Sequence, residues 1–123
     1  MKSPHTGFKR VIHAAGYSWK GFKSTWKHEA AFRQEVILFT FMSPLAFWLG
    51  ETASERAILL AVLLLVLVVE LLNTAVESVV DRVGDEYHKL SGRAKDQGSA
   101  AVFLSIFTAF VVWTGFLISK LVG

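Results

Sequence analysis

From Ala100 to Ser119 the chain runs AAVFLSIFTAFVVWTGFLIS, twenty residues without a charge. As a helix rising about 1.5 Å per residue, that stretch covers the roughly 30 Å hydrocarbon core of a bilayer. A soluble helix of this length carries a polar face, and this one has none, so a transmembrane helix is predicted. A second block, AILLAVLLLVLVV from Ala57 to Val69, continues through ELLNTAVESVV to Val80, giving 24 residues. A third, earlier block, VILFTFMSPLAFWL from Val36 to Leu49, has 14 uncharged residues, only about 21 Å of helix. It spans if its helix starts near Ala30, with Arg33 and Glu35 reaching toward headgroups or a protein partner. Pro44 removes the amide that would bond back to Thr40, which predicts a kink. The expected fold is all-α: one integral membrane domain over residues 1–123, with spans near 30–49, 57–80 and 100–119.

Composition narrows the chemistry. With no cysteine, disulfides, zinc-thiolate sites and catalytic thiols are excluded. MKSPHTGFKR is not followed by an apolar region with a small-residue cleavage site, so no signal peptide is expected. Of the 13 Lys and Arg, seven lie in residues 1–33 and four in residues 82–95; only Arg56 and Lys120 lie elsewhere. By the positive-inside rule, the N-terminus and the 81–99 segment, read as a loop, are cytoplasmic. The 50–56 turn and the C-terminus then face the other side.

Residues 7–27 form a different element. Phe8, Val11, Ile12, Ala15, Trp19, Phe22 and Trp26 fall on one stripe at 100° per residue, flanked by Lys9, Arg10, His13, Lys20, Lys23 and Lys27. A basic amphipathic helix with two tryptophans is predicted to lie in the membrane interface rather than on nucleic acid. Gly16 and Gly21 weaken it, each by about 1 kcal/mol relative to alanine, and suggest a break or a close approach.

The polar residues of the second span are the candidate site. Glu70, Asn73, Glu77 and Asp81 project within about 80° of one another on a helix. A carboxylate near mid-span costs about 2.5–3.5 kcal/mol on insertion scales and is a functional candidate by default. The plain alternative is a polar seam that holds helices together. Glu70 and Glu77 stand about 10.5 Å apart along the axis, too far for both to grip one metal ion easily. Their spacing suits one carboxylate as proton acceptor and the other near the cytoplasmic edge, where Glu29 could add a second metal carboxylate. A Mg²⁺ ion takes one or two carboxylates plus substrate phosphate oxygens. GYSWKGFKS (16–24) approaches a phosphate-loop pattern, but Phe22 intrudes before Lys23 and no strand precedes it, so that motif is rejected. These residues alone admit an enzyme acting on a lipid or an ion- or proton-coupled transporter.

AAGYSWKG (14–21), EAAFRQE (29–35), VELLNTAVESVVDR (69–82) and EYHKLSGRAKDQGSAAV (86–102) together resemble the small bacterial diacylglycerol kinases. The resemblance runs in order from about Thr6 to Val102, with a third span of similar character. It implies a homotrimeric kinase of the bacterial inner membrane that transfers the γ-phosphoryl group of MgATP to diacylglycerol, with sites shared between subunits. Glu70 then corresponds to the general base and Asn73 to its support, with Glu29 and Glu77 as Mg²⁺ carboxylates. Arg10, Tyr17, Glu86, Tyr87, His88, Lys95 and Asp96, with Glu29 and Glu77, correspond to the nucleotide-contacting set. The lipid set begins with Arg10, Ala14, Ala15, Gly16, Tyr17, Ser18 and Trp19 on the surface helix. It continues through Lys23, Ser24, Thr25 and Trp26, then Ala31, Phe32, Arg33, Gln34 and Glu35. Trp48, Arg56, Glu70 and Ser99 follow, and Trp113, Thr114, Gly115, Phe116, Leu117 and Ile118 close it. Two competing functions remain: an undecaprenol kinase sharing these motifs, and a small proton-coupled multidrug transporter.

Overall fold

A computed structural model describes residues 6–84 and 88–123. Four helices follow one another: α1 (Gly7–His28), α2 (Ala30–Leu49), α3 (Ala53–Val83) and α4 (Lys89–Val122). α3 and α4 are each long and apolar enough to cross a membrane. Their apolar side chains mostly point outward, with Leu64, Val68, Phe103, Phe107 and Phe110 exposed. A core helix of a soluble bundle would bury that surface, so these are helices of a membrane protein.

α1 is continuous through Gly16 and Gly21, and a Cβ added at either glycine would meet no other group within 4 Å among the described residues. The expected break is absent because the i→i−4 ladder tolerates single glycines. α1 ends at Glu29, whose backbone is extended (φ −117°, ψ 107°). Arg33 Nη1 donates to the carbonyls of Trp26 (2.6 Å) and Lys27 (3.2 Å), closing the C-terminus of α1 with a positive charge. Pro44 lies within α2, which continues to Leu49.

The α2–α3 turn is set by caps. Thr52 accepts a hydrogen bond from the Glu55 amide (3.1 Å), and Glu55 Oε1 accepts one from the Glu51 amide (2.9 Å). This Thr-x-x-Glu arrangement starts α3 at Ala53, four residues earlier than the uncharged block. Arg56 Nε donates back to Phe47 (3.2 Å) and Gly50 (3.1 Å). A Cβ at Gly50 would come within 2.7 Å of Arg56 Cγ and 2.9 Å of its amide nitrogen, so the close turn requires glycine there.

Above that turn Ala46, Leu49 and Leu59 form the buried core, packed by Leu60, Val112, Trp113 and Phe116. Trp113 Nε1 donates to the Leu59 carbonyl (3.2 Å), and Lys120 Nζ bonds the Trp48 carbonyl (3.0 Å) while lying 4.6 Å from its ring centroid. These contacts tie α4 antiparallel to α3 and close against α2. The segment 89–99, expected as loop, is the start of α4. His88 caps it by accepting from the Leu90 amide (3.1 Å). Charge density marks where water begins, and a helix can continue into water.

Candidate active site

The second-span stripe survives as one face. Leu59, Val66 and Glu70 are buried along α3, Asn73 and Glu77 are half-buried, and Asp81 is exposed. Burial therefore fades along the stripe, from a dry end at Glu70 (5% exposed) to a wet end at Asp81. Opposite lies α4. Lys95 Nζ pairs with Asp81 Oδ1 at 2.7 Å, and Gly98 faces the Asn73 carboxamide. The hydrogen bond from Lys95 to Asp81, then the Asp81 charge itself, with Glu77 adding to it, hold the ammonium above the ordinary lysine range. Asp81, which had no clear role in the sequence, is thus the partner of a predicted phosphate-binding lysine.

Carboxylates converge on this end. Glu29 and Glu77 both act electrostatically on Glu70, and Glu70 acts in turn on Glu35. Like charges at the edge of an apolar helix pair are relieved by taking up a proton or by a counter-cation. Glu29 stands at the α1–α2 joint with no capping hydrogen bond from its side chain, so its carboxylate is available. Among the described residues no group of three or more His, Asp or Glu is assembled as a metal cage. Glu29 and Glu77 are oxygen donors of the type Mg²⁺ takes, one or two carboxylates completed by substrate oxygens.

The lipid set divides in two. A cavity of about 300 Å³ opens between α2 and α4, lined by Leu38, Phe39, Met42, Leu63, Val66, Ile106, Ala109 and Phe110, with Glu35 as its charged residue and Trp113 and Thr114 on its wall. A second of about 200 Å³ adjoins it, shared by Trp48, Trp113, Thr114 and Leu117. The structure thus brings Glu35, Trp48, Trp113, Thr114 and Leu117 to one apolar groove. The groove's middle residues carried no sequence signal beyond being apolar.

Other candidates lie apart or serve locally. α1 packs chiefly on α2, so Arg10 and the run from Ala14 to Trp19 are exposed and away from the α3 stripe. Lys20 Nζ lies over the Tyr17 ring, 5.9 Å from its centroid. Thr25 is buried and bonds the Gly21 carbonyl (2.9 Å). Phe32 is buried, and Arg33 and Arg56 hold the two helix junctions. His88, Asp96 and Ser99 are exposed near the start of α4. Glu86 and Tyr87 lie outside the described residues.

A model of the prokaryotic diacylglycerol kinase family matches residues 16–117. The chain belongs to that family. A diacylglycerol kinase of Escherichia coli (strain K12) is 52% identical over 113 residues, covering 92% of this chain and 93% of that one. One of Haemophilus influenzae is 51% identical over 112 residues, 91% and 95% of the two chains. One of Pseudomonas aeruginosa is 50% identical over 113 residues, 92% of each. The family match spans the stripe, the groove and most of α1, while Arg10, residues 14–15, Ile118 and Lys120 lie outside it.

Proposed function

We propose that this chain is a membrane lipid kinase that transfers the γ-phosphoryl group of ATP to the hydroxyl of diacylglycerol, giving phosphatidic acid and ADP. The observation that carries it is the graded stripe itself. A dry carboxylate, Glu70, lies near an apolar groove, while charged groups that suit phosphate and a cation stand at the wet end. Lipid and nucleotide need opposite solvents, and this face offers both within about three turns.

In this scheme diacylglycerol lies along the α2–α4 groove with its hydroxyl near Glu35 and Glu70. Glu70 accepts the hydroxyl proton as the lipid oxygen bonds to the γ-phosphorus and the bond to the β-phosphate oxygen breaks in line. ADP leaves, and Glu70 returns its proton to solvent. Asn73, one turn along, orients the base. Glu29 and Glu77 are the residues that would hold Mg²⁺, which supplies charge neutralisation at the phosphates. Lys95 offsets phosphate charge as well. Phosphoryl transfer depends on such positioning and charge stabilisation more than on covalent chemistry.

Arg10 and Tyr17 do not reach this stripe within one chain, and the outer helix faces are apolar and exposed. Both features support a homotrimer whose sites are completed by a neighbouring copy. α2 then makes a third span, and the N-terminus and the 81–99 segment face the cytoplasm at the bacterial inner membrane.

The test is purified protein in mixed micelles with labelled ATP, Mg²⁺ and either diacylglycerol or undecaprenol, beside Glu70→Gln. Labelled phosphatidic acid is expected, reduced by about 10²–10⁴-fold in the variant. Label only on undecaprenol would reassign the substrate. No labelled lipid from either would refute a kinase and favour a transporter.

A further inference from the structure

Glycine is among the poorest helix formers, yet Gly98 sits in the interior of α4. Its backbone is helical; among the described residues Gly7 alone lies in the left-handed region (φ 62°). Conformational freedom is therefore not the reason for it. Its surroundings supply one. A Cβ built at Gly98 collides with Oδ1 of Asn73, and lies 3.2 Å from Asn73 Cγ and 3.8 Å from Asn73 Cβ. The hydrogen that occupies that direction on Gly98 is thus aimed at the Asn73 carbonyl oxygen.

That oxygen is buried and meets no N–H or O–H donor among the described residues. A buried acceptor without a donor is costly, and a Cα–H contact is the weak partner the geometry provides. The contact also has a polarity. A carbonyl oxygen is attracted to a Cα–H, whereas an amide N–H in the same place would be repelled. Gly98 therefore selects which end of the carboxamide faces α4.

We propose that Gly98 is a positioning residue, which fixes the Asn73 carboxamide with its oxygen against α4 and its NH₂ donor turned away toward the reacting groups. The proposal rests on Asn73 acting in the phosphoryl-transfer site. A methyl group at 98 would displace the far end of one side chain and leave the α3–α4 backbones in place. The fold should tolerate it while the site does not.

The experiment is a double-mutant cycle in the full chain, in mixed micelles with diacylglycerol and MgATP. It uses Gly98→Ala, Asn73→Ala and the pair, together with ¹⁵N NMR of the Asn73 side-chain amide. For Gly98→Ala we expect kcat to fall at least tenfold, KM for both substrates to stay within twofold, and the Asn73 amide signals to shift. The paired variant should be no slower than Asn73→Ala, because without the carboxamide the added methyl meets only a Cβ at ordinary contact distance. Costs that multiply in the pair, or Asn73 signals that stay in place in Gly98→Ala, would overturn the proposal. Loss of activity in Asn73→Ala with none in Gly98→Ala would overturn the positioning role alone. Full activity in Asn73→Ala would remove Asn73 from the site, and the role of Gly98 with it. If Gly98→Ala does not fold, the pair should fold as Asn73→Ala does. If the pair also fails, Gly98 makes room for backbone and the proposal falls.

Discussion

Replacing Leu59 by alanine separates a membrane fold from a soluble one by magnitude. Leu59 is fully enclosed among Ala46 and Leu49, with Leu60, Val112, Trp113 and Phe116 around it. In a water-soluble core, Leu→Ala costs about 2.7–5.0 kcal/mol, part transfer from water and part residual cavity. In a bilayer or micelle the unfolded reference keeps Leu59 in hydrocarbon, so the transfer part vanishes and only lost packing remains. Three missing carbons leave a void of roughly 70 Å³, which at about 24 cal/mol per Å³ is about 1.7 kcal/mol. Because Leu59 has no exposed surface, acyl chains cannot fill that void without parting the helices. Inward relaxation of Leu60 and Phe116 would lower the figure to about 1 kcal/mol at most.

The measurement is reversible unfolding in mixed micelles of rising SDS fraction, followed by tryptophan fluorescence, to which Trp113 beside Leu59 contributes directly. A loss of about 1–2 kcal/mol is expected. A loss above about 3 kcal/mol would show that water, rather than lipid, surrounds this segment when it unfolds. No measurable loss would show that the site is not enclosed. Either result refutes the reasoning.

Two further predictions concern the polar stripe. Asp81→Asn removes the hydrogen bond and the charge that raise the Lys95 pKa. A cation raised in this way contributes stability that is present below its unfolded pKa and lost as pH rises through the folded one. The variant should therefore lose the Lys95 proton at lower pH, read by ¹⁵Nζ NMR, and an unchanged titration would contradict the pair. Glu77→Gln removes a candidate Mg²⁺ ligand. The Mg²⁺ concentration for half-maximal activity should rise by about tenfold or more, since even outer-shell losses cost 10–100-fold in metal affinity; an unchanged Mg²⁺ dependence would remove Glu77 from that role.

The sequence revealed the fold where hydropathy and helix physics coincide. α2 ends with its block at Leu49 and starts at Ala30, six residues before the block's Val36. α3 and α4 begin earlier than their blocks because an uncharged run measures immersion in hydrocarbon, whereas caps measure helix. Thr52 and Glu55 announce α3 in the sequence as Thr-x-x-Glu, and counting charges passes over them. The stripe from Glu70 to Asp81 was legible because 100° periodicity is a property of one helix. Gly98 was not, because its meaning depends on which residue lies across from it, and one sequence carries no cross-helix register. The groove between α2 and α4 was equally hidden, since its apolar lining looks like any lipid-facing surface.

One consequence follows from how unevenly the site is supported. Asn73, Glu77 and Asp81 sit on α3, braced against α4 by the Lys95 pair and by contact at Gly98. Sites carried on packed helices hold their geometry well. Glu29 is different: it lies at the single extended residue between α1 and α2, and α1 packs chiefly on α2. The direction of α1 is set largely by Arg33, which grips the last carbonyls of that helix. A carboxylate at a joint moves with the helix it ends, so the surface helix and the Glu29 side chain should shift together when lipid arrives. If the proposed scheme holds, the half of the site on packed helices preserves the reacting geometry, while the half at the joint adjusts to the membrane surface.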